Sequence, residues 1–198
     1  MQTICSSGLL ISSADKKALD HYLAVEPKAW AREALTGMIT KAIKTIKNEW
    51  FTLYKSKQEE GVSADIAVII PGILAMEEFI PYNSKTPTSF DKVDKHDADE
   101  IQRDEDLDVE VWEGGFTIED HEKAALDAFY VDFEVQLRWF MNNKIYRRKL
   151  KFVKEWETIL LNDPEVEVIP ARHDAFINMV VARDDYKNRV EREAEALM

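Results

Sequence analysis

An apolar stripe recurs along residues 35–53 at steps of three and four positions. It consists of Leu35, Ile39, Ala42, Ile43, Ile46, Trp50 and Leu53. Such steps place side chains on one face of an α-helix, so the pattern predicts a long amphipathic helix. Pro27 suits the first turn of that helix. Ser13 and Asp15 predict the start of an earlier helix over residues 14–25.

The second half of the chain has no Gly or Pro from Phe116 to Asp163, which predicts a nearly unbroken helix there. Asn162-Asp163-Pro164 ends it, because the residue before a proline is pushed out of the α region. The predicted buried face is Ile145, Phe152, Trp156 and Ile159. A final helix is predicted from about Arg172 to Ala196, with a stripe of Phe176, Val180, Tyr186, Val190 and Ala194.

The two halves share an ordered set of sequence markers. Leu19-Asp20 corresponds to Leu126-Asp127, 107 positions later, and Glu49-Trp50 corresponds to Glu155-Trp156, 106 positions later. Ile39 matches Ile145, Ile70-Pro71 matches Ile169-Pro170, and Tyr82 matches Tyr186. We therefore predict a mainly all-α protein with an internal duplication. The predicted organisation is a first helical repeat at 1–83, a linker at 84–118 and a second helical repeat at 119–198.

The predicted linker is strongly acidic. Residues 91–110 hold ten acidic side chains against Lys92, Lys95 and Arg103. Such runs are typical of solvated segments. The linker ends in residues 108–118, which alternate between apolar and polar positions around Gly114-Gly115 and so predict a short β-hairpin.

Composition excludes several classes of protein. The 198 residues carry a net charge of −12, which opposes general binding to nucleic acid or to an anionic membrane. Their 45% apolar content is enough for a core, but no apolar stretch is long enough to span a bilayer. Cys5, the single cysteine, allows no intrachain disulfide, and residues 1–5 lack the positive charge of a secretory signal. A cytoplasmic or assembled-particle setting is expected.

A calcium loop is the first candidate for chemistry in the acidic run. Asp104, Asp106 and Asp108 occupy positions one, three and five of such a loop, but Val109 and Gly115 stand where it needs Gly and Glu. The interpretation is a charged surface segment.

His96 lies among Asp94, Asp97 and Asp99 but has no second histidine or cysteine nearby, so it too predicts solvated charge rather than a metal site. Glu49 and Glu155 lack a flanking partner of the kind that carboxylate catalysis requires, and each is expected to pair with a nearby base such as Arg148 or Lys151. We predict no catalytic, cofactor-binding or metal-binding residue.

Basic side chains form the most distinctive surface feature. They are arranged along the two predicted long helices, and Lys144 is one of them. The other seven are the predicted protein-binding residues: Lys41, Lys44, Lys47, Arg147, Arg148, Lys151 and Lys154. They fit an acidic protein surface better than nucleic acid, given the net charge, although an ordinary solvated helix face explains them as well. Trp50 and Trp156 are the predicted core anchors.

Several motifs resemble small proteins of tailed bacteriophages. They are residues 29–39 (Ala-Trp-Ala-Arg-Glu-Ala-Leu-Thr-Gly-Met-Ile), 47–50 (Lys-Asn-Glu-Trp), 154–156 (Lys-Glu-Trp), 161–164 (Leu-Asn-Asp-Pro), 168–171 (Val-Ile-Pro-Ala) and 182–189 (Ala-Arg-Asp-Asp-Tyr-Lys-Asn-Arg). Proteins of that kind typically carry one copy of the pattern. The duplication and the acidic insert depart from it. The resemblance implies a phage origin and a place among tail or other virion components, with no catalytic residues.

The resulting expectation is a non-enzymatic structural or interaction protein of a tailed phage particle, a tail or neck accessory subunit that bridges its neighbours. Its expected partners are other virion proteins and copies of itself, and its expected location is the virion, after synthesis in the host cytoplasm. One alternative is an acidic regulator or inhibitor that uses residues 91–110 to occupy a basic site on a host protein. Another is an unrecognised hydrolase or nucleotide-binding enzyme, which a deep polar pocket would indicate.

Overall fold

The computed structural model describes residues 1–58, 60–84 and 107–198. It confirms the predicted mainly all-α class, because helices dominate and the strands are short. The elements in chain order are β1 (Gln2–Ile4), β2 (Leu9–Ile11), α1 (Ser13–Tyr22), α2 (Pro27–Ser56), α3 (Ile66–Leu74), a 3-10 turn (Tyr82–Ser84), β3 (Val109–Trp112), β4 (Phe116–Ile118), α4 (Asp120–Phe129), α5 (Phe133–Leu160), α6 (His173–Val181) and α7 (Arg189–Glu195).

Helix α2 begins at Pro27 as predicted, but two other predicted helices are divided. The stretch 116–163 contains β4, α4 and α5. The break before α5 is stabilised by Asp132, whose Oδ1 accepts a hydrogen bond from the backbone N–H of Val135 at 2.9 Å. The predicted final helix is two helices, α6 and α7, and Asn188 caps the second of them. Side chains that bond to backbone N–H groups start new helices where Gly and Pro are absent.

The order of elements in the first half recurs in the second half. The series β1, β2, α1, α2, α3 corresponds to β3, β4, α4, α5, α6, and α1 and α4 begin 107 positions apart, as do α3 and α6. An i,i+4 ion pair at 2.5 Å joins Lys16 to Asp20 in α1, and Lys123 to Asp127 repeats it in α4. These observations support an internal duplication. In the first half Ile70 lies inside α3 and its counterpart is Ile177 in α6, so the predicted match with Ile169 is wrong.

The predicted hairpin between residues 108 and 118 is wrong in its pairing, although both of its strands exist. Strand β1 pairs with β4, and β2 pairs with β3, both antiparallel. Gly114 and Gly115 have φ angles of +67° and +74°, a backbone conformation that residues other than glycine rarely adopt. A Cβ on Gly115 would lie 2.2 Å from the carbonyl oxygen of Ile4. Gly115 therefore lets the chain pass closely against the end of β1 instead of closing a hairpin.

Two compact units divide the chain, and each takes segments from both halves. We call the first the Trp50 unit; its described residues are 1–7, 32–58, 60–84 and 114–138. The second is the Trp156 unit, with described residues 8–31, 107–113 and 139–198. The compact units therefore have other boundaries than the predicted 1–83 and 119–198, and strands β3 and β4 lie inside the predicted linker at 84–118. Hereafter "first repeat" means β1 through α3, and "second repeat" means β3 through α6.

Each unit has its own core. In the Trp50 unit, α3 packs against α4, and the buried side chains include Leu35, Ile39, Ile69, Ile70, Ile73, Leu126 and Phe129. In the Trp156 unit, α1 packs against α6 and α7. Its buried core cluster is Ala14, Ala18, Phe152, Leu160, Phe176, Ile177 and Val180. Within the described residues, no helix has the length and apolar character of a membrane span.

Candidate functional site

The predicted basic residues of α2 lie in the Trp50 unit. Lys41 and Lys44 are exposed, and Lys47 is half-buried. The Lys47 Nζ lies 5.5 Å from the centroid of the Phe51 ring, a cation–π distance. Partial burial lowers the pKa of Lys41 from its ordinary value. This helix therefore presents positive charge on the surface of its unit.

The predicted basic residues of α5 lie in the Trp156 unit. Arg147, Lys151 and Lys154 are exposed, whereas Arg148 is half-buried with its guanidinium 4.7 Å from the centroid of the Trp30 ring. Burial, followed by the nearby charge of Arg189, lowers the pKa of Arg148. The long helices align with an offset of 106 residues, and at that offset only Lys41 and Arg147 occupy equivalent positions. The basic residues of the two long helices therefore do not correspond position by position.

Trp50 and Trp156 stand in similar surroundings, and both are half-buried rather than fully enclosed. The Trp50 ring lies 5.2 Å from that of Phe79, and the Trp156 ring lies 5.8 Å from that of Tyr186. Phe79 and Tyr186 are 107 positions apart, so the same contact is made in both units. The predicted match of Tyr82 with Tyr186 is therefore wrong. Of the other residues predicted to be buried with Trp156, Ile145 and Phe152 are buried, but Ile159 is 50% exposed.

The glutamate before each tryptophan accepts a hydrogen bond from a tyrosine hydroxyl. Tyr82 donates to Glu49 at 2.5 Å, and Tyr22 donates to Glu155 at 2.6 Å. The predicted basic partner of Glu155 is also present, since Lys151 Nζ lies 3.4 Å from its carboxylate. Burial alone would raise the pKa of Glu155, but the bond from Tyr22 and the charge of Lys151 outweigh it and lower the pKa. The two glutamates thus hold surface side chains in place.

A buried charge cluster in the Trp156 unit was not predicted. Lys149, Asp15 and Asp174 each have side chains only 2% exposed. The Lys149 Nζ lies 3.2 Å from Asp15 Oδ1 and also forms an ion pair with Asp174. Asp15 closes the capping box of α1 with Ser12, and Asp174 lies in the first turn of α6. One lysine in the middle of α5 therefore fastens α1 and α6 to that helix.

The sequence does contain a signal for this cluster. Lys149 falls between Ile145 and Phe152 on the apolar face of α5, where a charge requires a partner. The equivalent position in α2 is Ile43. Because the cluster is sealed from solvent, it has no face on which a substrate could bind. Its chemistry is that of a structural ion pair.

His21 occupies an aromatic cluster next to the C-terminal end of α1. Its ring stacks on Tyr186 at 5.8 Å and meets the edge of Phe152 at 5.0 Å. Burial, and then the charge of Arg192, lowers the pKa of His21 from 6.5 to about 4. Arg192 and Arg189 also donate hydrogen bonds to the carbonyl oxygens of His21 and Tyr22, at 2.6 and 2.8 Å. This cluster joins α7 to α1.

None of the large pKa shifts in the described residues creates a base or nucleophile suited to neutral pH. Burial raises the pKa of the Cys5 thiol to about 12 and that of Tyr186 to about 12. Burial also raises the pKa of Tyr22 and of Tyr82, and it lowers that of His21. General acid–base catalysis works best with a pKa near the operating pH, and each of these groups is shifted away from it.

Four of the sequence motifs, at residues 154–156, 161–164, 168–171 and 182–189, meet in one place in the Trp156 unit. Arg183 donates hydrogen bonds to Asp163 and to Asp185, both at 2.8 Å, and so connects the Asp-Pro motif to the Ala-Arg-Asp-Asp-Tyr-Lys motif. Tyr186 from the latter motif contacts Trp156 from the Glu-Trp motif, and Ile169 from the Ile-Pro motif packs on the same core. The motif residues thus form one packed module that connects α5, α6 and the turn after α6.

The predictions for residues 91–106, including His96, Asp94, Asp97, Asp99, Asp104 and Asp106, lie outside the described residues. In the described part of the chain, no three His, Cys, Asp or Glu side chains are grouped so that they could hold a metal ion. Comparison with protein-family models, with curated proteins and with solved structures found no match to this chain.

Proposed function

We propose that this chain is a non-enzymatic structural or interaction protein of a tailed phage particle, a tail or neck accessory subunit that bridges neighbouring subunits. The observation that carries the proposal is the packed module around Trp156, Arg183 and Tyr186. The residues that resemble phage proteins hold helices together in it and leave charged side chains on the surface.

Two equivalent tryptophan-centred units in one chain suit a bridging role. Linking two binding units makes the second contact a local event at high effective concentration. Symmetric particles offer repeated neighbours for such contacts. The partners in this proposal are other virion proteins and further copies of this chain, and the location is the phage particle. The net charge of −12 argues against nucleic acid as a partner.

Within this proposal the exposed basic residues are the docking points. Lys41 and Lys44 project from α2, and Arg147, Lys151 and Lys154 project from α5. Positive patches on an acidic protein favour partners with acidic surfaces, because complementary charge speeds and orients association.

Mass spectrometry of purified virions tests the proposal directly. We expect the chain among the particle proteins in a fixed ratio to the major tail proteins. Particles purified to constant composition that lack the chain would overturn the proposal.

Charge variants test the docking residues separately. Virions assembled with Lys41→Gln/Lys44→Gln, or with Lys151→Gln/Lys154→Gln, should contain less of the chain than virions assembled with Lys55→Gln, which removes an exposed charge at the end of α2. Equal incorporation of all variants would contradict the role of the basic faces, even where the wild-type chain is present in the particle.

A further inference from the structure

Both strand pairs, and the two short-helix pairs α1–α6 and α3–α4, join the first repeat to the second repeat. Strand β1 pairs with β4, and β2 pairs with β3. Helix α1 packs on α6, and α3 packs on α4. The strands of one repeat therefore do not pair with each other, and each short helix finds its helical neighbour in the other repeat.

Side chains follow the same rule in the Trp50 unit. Gln2 donates a hydrogen bond to Asp120 at 2.8 Å, and the Tyr82 ring packs on Phe129 at 5.1 Å. The first contact has one partner in each repeat, and the second joins the 3-10 turn that follows the first repeat to α4 of the second repeat. Burial of Ile4 and Phe116, which face each other across β1 and β4, adds an apolar contribution to the same association.

Contacts between the first and second repeats are strongest in the Trp156 unit. Asp15 of α1 meets Lys149 of α5 in the buried ion pair, and Lys17 of α1 donates to Asn178 of α6 at 2.5 Å. Tyr22 at the end of α1 donates to Glu155 of α5. A repeat separated from its counterpart would expose the apolar faces and leave the buried charges without partners.

We propose that this chain self-associates by exchanging repeats: the first repeat of one copy pairs with the second repeat of another copy, and reciprocally. All contacts described above are re-formed in the exchanged dimer, because a repeat meets the same surface whether it belongs to the same chain or to a second copy. Exchange of identical elements is a low-cost route to dimers, since no new interface is needed. This inference deepens the self-association part of the proposed function and names the surface that carries it.

The protein concentration during refolding decides between the monomer and the exchanged dimer. The interfaces are identical, so the single chain is favoured only by the covalent connection, which gives the second repeat an effective concentration on the order of millimolar. Refolding well below that concentration yields monomers, and refolding near it yields exchanged dimers. Packing of many copies into one particle would raise the local concentration toward that range.

The exposed register pair Thr3 and Thr117 provides the test, because the two residues face each other across β1 and β4. One full-length chain carries Thr3→Cys and another carries Thr117→Cys, both with Cys5→Ala. The two chains are unfolded together under reducing conditions, refolded at about 10 μM or at about 1 mM, and then oxidised. Directly facing strand residues have Cα separations within the range that a disulfide accepts.

We expect a covalent dimer on a non-reducing gel after refolding at the higher concentration, and its loss on reduction. A mixture of Thr52→Cys with Thr117→Cys is the matched control, because Thr52 is exposed on α2 and does not face Thr117. No dimer above this control at either concentration would overturn the proposal. A single chain with both Thr3→Cys and Thr117→Cys should form an internal disulfide, and its failure would overturn the strand pairing and the proposal with it. Neither result depends on whether virions contain the chain, so failure here is distinct from failure of the phage assignment.

Discussion

The Trp50 unit and the Trp156 unit use one arrangement of helices but stabilise it differently. Both have a half-buried tryptophan on a long helix, an aromatic ring beside it and a tyrosine bonded to the preceding glutamate. Only the Trp156 unit adds a buried lysine between two aspartates, where the Trp50 unit has Ile43 in the equivalent position.

The ion pairs at the ends of the long helices differ in the same way. In the Trp156 unit, Asp163 and Asp185 hold Arg183 between them. In the Trp50 unit the equivalents of the two aspartates are Lys57 and Glu78, which pair with each other. The position of Asp163 and Lys57 thus accepts either charge, provided that a side chain of opposite charge lies beside it.

The largest expected effect comes from breaking the buried charge cluster. Lys149→Met leaves Asp15 and Asp174 buried without their counter-charge, and we expect a loss of about 3–5 kcal/mol in the free energy of unfolding. Urea denaturation followed by circular dichroism measures it. Ile43→Met, the equivalent change in the Trp50 unit, should cost less than about 1.5 kcal/mol.

A combined variant distinguishes the effect of the lost charge on stability from the effect of the changed side-chain shape. Lys149→Met together with Asp15→Asn and Asp174→Asn should recover part of the lost stability, because no carboxylate then stays buried without a counter-charge. If Lys149→Met costs no more than Ile43→Met, the cluster does not distinguish the two units.

Truncation of the tryptophans should have the next largest effect. Full burial of a tryptophan would make its loss cost about 3–5 kcal/mol, and we expect about 2–3 kcal/mol for Trp156→Ala because the side chain is half-buried. Trp50→Ala should cost somewhat less, since Trp156 contacts both Phe152 and Tyr186, whereas in the described part of the chain Trp50 makes one ring contact, with Phe79. Thermal unfolding measures both, and a larger loss for Trp50→Ala would reverse this ranking.

His21 gives the Trp156 unit a pH dependence that the Trp50 unit lacks at the equivalent position, Ala128. The folded-state pKa of His21 is about 4, below its ordinary value of 6.5. Between these values the unfolded chain binds a proton that the folded chain does not, so stability falls as the pH falls from 6.5 toward 4. Urea denaturation of His21→Gln should therefore show a smaller loss between pH 7 and pH 5 than wild type. If the stability of His21→Gln and that of wild type fell equally between pH 7 and pH 5, His21 would not be the cause of the pH dependence.

The smallest expected effects concern the ion pairs at the ends of the long helices. Arg183→Ala removes a guanidinium that bonds to two aspartates, whereas Lys57→Ala removes one exposed ammonium group. Arg183→Ala should therefore lower the Tm more than Lys57→Ala does, because exposed single pairs contribute little. Equal shifts in Tm would show that bonding of Arg183 to two aspartates adds no stability over a single ion pair.

Local patterns predicted much of the helical structure and some of the candidate surface. The three- and four-residue spacing from Leu35 to Leu53 and the position of Pro27 identify α2, and Asp163-Pro164 lies just beyond the end of α5. The exposed residues Lys41 and Lys44 were also identified in this way. The cap at Asp132 and the division between α6 and α7 were missed, because single polar side chains start these helices without a Gly or Pro nearby.

The amino-acid sequence by itself determined the helical class, the long amphipathic helices and the duplicated order of elements, because these follow from spacing between neighbours in the chain. Only the tertiary structure decided that β1 pairs with β4, that β2 pairs with β3, and that Lys149 lies between Asp15 and Asp174. Alternation of apolar and polar residues predicts a strand but not the strand it pairs with. A charged residue on an apolar helix face indicates that a counter-charge is required, but not which side chain supplies it.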